Sequence, residues 1–130
     1  MTVSELQTYL DKSPYYKRYA ISLTEENGKL ITELPFSDSL IGNPAIRAIH
    51  GGLVAMGLEL GANLQANLDT GSKLTPLSQT SSFLRRTKDK PMFVSAEPLK
   101  SGRRFVVMSA VAWQENREKP VATAQLTFQV

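Results

Sequence analysis

Cysteine is absent from the 130-residue chain, and histidine occurs once, at His50. Without cysteine there are no disulfides, no thiolate-bound zinc and no cysteine nucleophile. A single histidine leaves zinc or iron short of imidazole ligands, so no metal or other cofactor is expected. No apolar run reaches the roughly 20 residues that span a bilayer. The N-terminus also lacks the cationic-then-apolar pattern of a secretory leader. A cytoplasmic protein with no membrane partner is the expectation. The G-x-S-x-G elbow, the P-loop and the dinucleotide fingerprint are missing too, which removes α/β-hydrolase, NTPase and Rossmann chemistry.

What is present is ordinary in bulk: 42% hydrophobic and 21% charged residues, the balance of a soluble globular chain. The length suits one domain spanning residues 1–130, large enough to bury a core. The net charge of +3 hides an asymmetry: residues 1–70 carry eight acids and five bases, and residues 71–130 four acids and ten bases. A half with net charge +6 points to a partner carrying phosphates. Nucleic acid is one such partner, but no helix-turn-helix or aromatic-basic RNA signature accompanies the charge. A phosphorylated small molecule fits the same charge, and many of these bases are simply a solvated surface.

The segment richest in chemical information begins at His50-Gly51-Gly52. From Gly51 to Ala62 the run GGLVAMGLELGA reads as an apolar helix whose one ionisable side chain is Glu59. A carboxylate in such a run costs free energy unless something uses it or pairs with it. The paired glycines put bare N–H groups at the helix start, where the macrodipole favours negative charge. Together these features suggest a catalytic site. A purely structural reading also exists, in which Gly51, Gly52, Gly57 and Gly61 allow close packing and Glu59 sits at a solvent gap. Nine residues at about 100° each put His50 and Glu59 on opposite helix faces, roughly 13 Å apart along the axis. If they share a site, the second member comes from another chain, in a dimer with facing helices.

Elsewhere the pattern predicts a helix over 3–12, ended by Ser13-Pro14, and a strand carrying Tyr19, Ile21 and Leu23. Asn27-Gly28 is a hairpin turn leading to a return strand over 29–35. Residues 36–49 read as a long connection turning at Gly42-Asn43-Pro44. The central helix runs from Gly51 to about Leu68, with Leu53, Gly57, Leu60, Leu64 and Leu68 forming one stripe. Four strands follow: 77–85, 91–100 broken by Pro98, 105–114 and 121–129. Six strands can bury one dominant helix only if the sheet curls around it. The class is α+β.

A lone carboxylate and backbone donors for a developing oxyanion suit attack on a carbonyl. A paired-carboxylate glycosidase stays open, although no second acid lies in a comparably apolar stretch. The residues now reach a resemblance. GNPAIRAIHGGLVAMGLELGA (42–62), FLRRTKDK (83–90), the hairpin LKSGRRFVVMSAVAWQE (99–115) and ATAQLTF (122–128) together resemble the hotdog-fold acyl-CoA thioesterases of the phenylacetic acid degradation type. The match covers nearly the whole chain.

The resemblance implies an antiparallel sheet wrapped around a central helix. It also implies dimers or dimers of dimers whose sites are shared between subunits. By residue, Glu59 takes the base-or-nucleophile position and Gly51 the backbone donor, with His50 beside it and Gly52 next to the substrate. Asn43 matches a polar residue that positions the carbonyl or the water, although it lies seven residues before His50 where six are expected. The family's FLRP reads Phe83-Leu84-Arg85-Arg86 here. A hydroxyl that assists from the strand start would fall near Pro76 and Leu77, which have none; Thr75 and Ser78 flank them. The expected activity is hydrolysis of an acyl-CoA or aryl-CoA thioester to free acid and CoA. Some of Arg85, Arg86, Lys88, Lys90, Lys100, Arg103 and Arg104 would hold the CoA phosphates. The alternatives are a carrier-protein thioesterase and a non-catalytic acyl-CoA-binding protein. The second is disfavoured because binding alone gains nothing from a buried acid.

Overall fold

The computed structural model describes residues 1–130. Helix α1 (Val3–Lys12) starts on a capping box, in which the Thr2 hydroxyl accepts from Glu5 N–H and the Glu5 carboxylate from Thr2 N–H. The helix buries Leu6 and Leu10 and stops before Pro14, which disfavours helical geometry in the preceding residue. A 3₁₀ turn over Tyr16–Tyr19 follows. The strand expected at Tyr19 therefore starts later, as β1 (Ser22–Glu26), paired with β2 (Lys29–Leu34). Asn27 and Gly28, at φ 53° and 82°, make the two-residue hairpin between them.

Residues 36–49 are more ordered than a bare connection. After a 3₁₀ turn at Asp38–Leu40, β3 (Ile41–Asn43) pairs with β4 (Ala48–Ile49). Gly42 and Asn43 thus lie on a short strand and the turn falls on residues 44–47, with Arg47 at φ 50°. Then comes α2 (Gly51–Thr70), closed by Gly71 in the left-handed region at φ 73°, as helix C-caps favour. The remaining strands are β5 (Thr75–Phe83), β6 (Met92–Ser101), β7 (Phe105–Trp113) and β8 (Ala122–Gln129). Pro98 does not break β6; the register shifts there, leaving Leu99 as the extra residue of a bulge. β6 pairs with β2 only through residues 92–94, so its edge beyond them is open, a setting that tolerates proline.

The six strands form one antiparallel sheet in the order β1-β2-β6-β7-β8-β5, curled around α2. Alternate residues of β8 (Ala122, Ala124, Leu126, Phe128) and β7 (Val106, Met108, Ala110, Ala112) face the helix and are buried. Gln65 ties the helix to the β1–β2 hairpin, accepting from Leu30 N–H at 2.7 Å and donating to Gly28 O at 3.2 Å. Two helix glycines allow the close approach to β6. A Cβ on Gly57 would lie 2.8 Å from Met92 Cε, and one on Gly61 would lie 2.5 Å from Val94 Cγ1.

Met92 can swing its terminal methyl aside; β-branched Val94 cannot. Overpacking of this kind costs roughly 1–3 kcal/mol, against about 1 kcal/mol of helix propensity gained over glycine. Gly61→Ala is therefore expected to lower the urea midpoint. Combined with Val94→Ala it should do less damage than the two single changes added together. Additive losses would show that Gly61 does not serve this contact.

Candidate active site

The outer face of α2, turned away from β6 and β7, carries Ala55, Met56, Glu59 and Asn63, all partly exposed. Glu59 is half-buried, not buried as the apolar run suggested: helical spacing puts it between the sheet-facing rows. It makes no hydrogen bond or ion pair within the chain. Its surroundings form a cleft of about 210 Å³ walled by Pro76, Leu77, Ser78, Gln79 and Leu126. The β5–β8 register shifts between Pro76 and Ser78, so Leu77 is a bulge residue beside the acid. That bulge brings Ser78 to the cleft wall, at the strand start that lacked a hydroxyl at Pro76 and Leu77. Gln79 donates to Ala55 O at 3.1 Å and to the Ser81 hydroxyl at 2.9 Å, fastening β5 to the helix one turn before Glu59.

Burial pushes the Tyr16 phenol up, with further contributions from Tyr9 and Glu59. Tyr15 is raised chiefly by burial, with Tyr19 next and Glu59 last. Both phenols are thus within electrostatic reach of the Glu59 carboxylate. No local pattern in the sequence marks these tyrosines or Gln79 as neighbours of the acid. Tyr16 belongs to a 3₁₀ turn that packs against α1, a tertiary contact that the run Tyr15-Tyr16 does not signal.

At the helix start, His50 is the N-cap residue, and its carbonyl accepts from Leu53 and Val54 N–H at 2.9 and 3.2 Å. The N–H groups of Gly51 and Gly52 make no hydrogen bond within the chain. Both residues and the His50 side chain are exposed. Two unpaired donors at the positive end of a 20-residue helix form an anion-stabilising site. The position is held from three sides: His50 N–H donates to Leu40 O at 2.8 Å, Ile49 N–H to the buried Thr87 hydroxyl at 2.8 Å, and Gly42 lies flat on His50. A Cβ on Gly42 would come within 2.9 Å of His50 Cα. Asn43 is exposed, and its side-chain oxygen accepts from Ala45 N–H at 3.1 Å, capping its own turn. Only its amide N–H₂ is left for a ligand.

The helix is unbroken from Gly51 through Glu59. Gly51 N–H and the acid are therefore eight residues, or roughly 12 Å of axis, apart. One chain holds Glu59 away from His50, Gly51 and Gly52, while Asn43 lies across the short ladder from Ala48, two residues before His50.

The basic residues divide. Arg85 and Arg86 follow β5 in a loop pinned by Gln114, which accepts from Lys88 N–H and donates to Lys88 O and Lys90 O. Through Thr87 this loop abuts the start of α2. Lys100, Arg103 and Arg104 sit at the opposite end of the sheet, where β6 turns into β7. The nine residues of β7 separate the groups by roughly 27 Å at ~3.3 Å per residue. The ten bases thus do not form a single patch. Near the helix start, Arg85, Arg86, Lys88, Lys119 and Asn116 line a polar cleft of about 300 Å³. Lys88 and Lys90 are paired with Glu115 at 3.0 and 3.1 Å, and their hydrogen bonds hold its carboxyl below the usual range. Arg85 donates to Pro120 O at 2.8 Å. Arg85, Arg86 and Lys119 have no carboxylate partner.

A long helix enclosed by a curled antiparallel sheet is the hotdog fold. The chain belongs to the acyl-CoA thioesterase N-terminal domain family, whose model matches residues 42–129. Among solved structures, a phenylacetic acid degradation-related protein from Ralstonia eutropha is 22% identical, with a TM-score of 0.80 and 98% of each chain covered. A thioesterase from Haemophilus influenzae is 20% identical, with a TM-score of 0.82 over 99% of this chain and 90% of that one. A Chromobacterium violaceum protein is 28% identical, with a TM-score of 0.76 over 98% and 95%. No curated protein matches the chain. No helix is long and apolar enough to cross a membrane.

Proposed function

We propose that the protein hydrolyses an acyl-CoA thioester to the free acid and CoA in a site shared by two subunits. The observation that carries this reading is Glu59, a half-buried carboxylate with no partner of its own, in a cleft on the face of the helix whose free N–H groups begin it. Gly51 N–H, with Gly52 beside it, polarises the thioester carbonyl and stabilises the oxyanion as negative charge develops. Glu59 either takes a proton from the attacking water or attacks the carbonyl itself. In both routes a C–O bond forms, the C–S bond breaks and CoA leaves as the thiolate, then takes up a proton; where Glu59 itself attacks, water then opens the mixed anhydride, releasing the acid and restoring the carboxylate. His50 and the Asn43 amide flank the carbonyl. A hydrolysis screen over acyl-CoAs, following the free thiol, tests the reading; a chain inactive on every acyl-CoA would overturn it.

Two observations support the dimer. Gly51 and Glu59 are too far apart to serve one carbonyl within a chain. In addition, β5 pairs only with β8, leaving one edge open, and it exposes Leu77 and Phe83 at 50% and 59%. An uncovered edge strand of this length is a template for pairing with another chain. The chain is accordingly read as one catalytic domain that works as a homodimer or a dimer of dimers.

For the nucleotide we assign Arg85, Arg86 and Lys119, which are free of carboxylates and lie at the helix-start end of the sheet. Lys100, Arg103 and Arg104 lie about 27 Å from them within one chain and are not assigned to the nucleotide. Removing the charges of Arg85 and Arg86 is expected to raise KM about tenfold with little change in kcat, and the loss should shrink with added salt. The pair Arg103→Ala/Arg104→Ala should leave KM within about twofold. The assignment would be withdrawn if pantetheine thioesters, which lack the nucleotide, reacted as well as CoA esters. In that case the basic cleft would fit the docking of a carrier protein.

A further inference from the structure

One turn beyond Glu59 along α2, Asn63 lines a separate, half-open cavity of about 410 Å³ between α1 and α2, bordered by Met1, Leu6, Tyr9, Tyr16, Leu60, Leu64 and Leu74. Three links join this cavity to the acid. Leu60 is the next residue in the chain. Asn63 is four residues on, roughly 6 Å along the helix. Tyr16, a wall of the cavity, has its phenol raised by burial first, then by Tyr9 and by Glu59, so its hydroxyl lies in the field of that carboxylate.

The lining is leucine and tyrosine. Lys73 is the one charged side chain in it; at the far end the Met1 ammonium donates to Asn67 Oδ1 at 3.4 Å, and Asn63 and Asn67 each donate one amide N–H, to Leu74 O and Ser72 O. A volume of this size falls within the usual range for small-molecule sites and far above that of a packing void. An apolar wall with few convergent polar groups suits a hydrocarbon, not a nucleotide or a sugar.

Resting on the hydrolase reading above, we infer that this cavity binds the acyl group of the substrate, an apolar acyl of about eight carbons, straight or ending in an aryl ring. The length follows from the helix. Glu59 to Asn67, at the cavity's far end, is eight residues or about 12 Å of axis. A zigzag chain of ~1.5 Å bonds advances roughly 1.25 Å per carbon, so about 12 Å holds at most nine or ten carbons, and about eight fit with room for the carbonyl. Glu59 then stands at the carbonyl end, and Leu6, Leu60, Leu64 and Leu74 surround the tail.

Two measurements test this. First, kcat/KM for octanoyl-CoA is expected to exceed that for acetyl-CoA by at least about thirtyfold, because each buried methylene adds to transition-state binding. Leu74→Trp, at the half-buried rim, should then cut that ratio by about tenfold or more by filling the cavity. Second, the wild-type protein labelled at leucine methyls is titrated with S-octyl-CoA, a thioether that cannot be hydrolysed, and separately with CoA. Methyl shifts at Leu6, Leu60, Leu64 and Leu74 with S-octyl-CoA but not with CoA are expected, whatever the turnover. Identical spectra with the two ligands, or shifts confined to other leucines, would overturn the inference. Methyl shifts at these four positions in a protein that hydrolyses no acyl-CoA would keep the cavity and sink the hydrolase reading instead.

Discussion

Glu59→Gln is expected to lower kcat for acyl-CoA hydrolysis by about a hundredfold or more, because the amide can neither take a proton nor attack the carbonyl. The fold should survive. Glu59 makes no ion pair or hydrogen bond within the chain, so glutamine of nearly equal size breaks nothing and removes a half-buried charge. The melting temperature is expected to stay level or rise. A second readout separates loss of charge from loss of structure. Because the carboxylate helps raise the Tyr16 phenol, its removal should lower the pKa of that tyrosine, measurable by ultraviolet titration. Thioesterase activity within a few-fold of wild type, in a variant shown to be folded, would take Glu59 out of the mechanism. KM should change less than kcat, since the lost interaction strengthens in the transition state.

Local chemistry made the helices, the first hairpin and the last strand legible in the sequence. Thr2 and Glu5 cap α1, Asn27-Gly28 supplies the two left-handed residues of a tight turn, and the alternation of β8 matches its buried face residue by residue. Features that depend on tertiary partners were not legible. Tyr19, Ile21 and Leu23 alternate like a strand, yet Tyr16–Tyr19 form a 3₁₀ turn packed against α1. The β3–β4 ladder is two or three residues a side, too short to show a period. Pro98 looked like a break because a sequence does not reveal that one edge of β6 is open there.

The site followed the same rule. Gly51 and Glu59 stood out because glycines and a lone acid are unusual in an apolar helix. Gly57 and Gly61 serve close packing and Gly51 does not, while Glu59 lies half-buried in a cleft. The depth of Glu59 depends on which helix face meets the sheet. A helix apolar nearly all round does not disclose that face. Gln79, Ser78, Tyr16 and Lys119 reach the site from elements distant in sequence, and a charge count could not divide Arg85 and Arg86 from Arg103 and Arg104.

The largest effect is expected from a mixture of two crippled chains. If Gly51 of one subunit and Glu59 of its partner flank one thioester, each dimer has two such sites. Gly51→Pro removes the donor N–H at the first helical position, where proline is well tolerated. The local structure accepts it: a Cβ on Gly51 meets nothing within 4 Å, and His50, at φ −55° and ψ 129°, already has the extended geometry that a following proline requires. Glu59→Gln separately removes the acid. Each parent dimer has two defective sites and should be nearly inactive. In a mixed dimer one site inherits both substitutions and the other neither. With random pairing half of the dimers are mixed and half of their sites intact, so co-refolding equal amounts should restore about a quarter of wild-type activity. Circular dichroism must show both parents folded, and light scattering must show them dimeric or larger. Exchange of differently tagged subunits must also be seen. With those controls met, a mixture no more active than its parents would mean that donor and acid act within one chain, or that one of them does not act. Recovery would require the two helices to face each other across the two-fold axis, each start beside the other's acid.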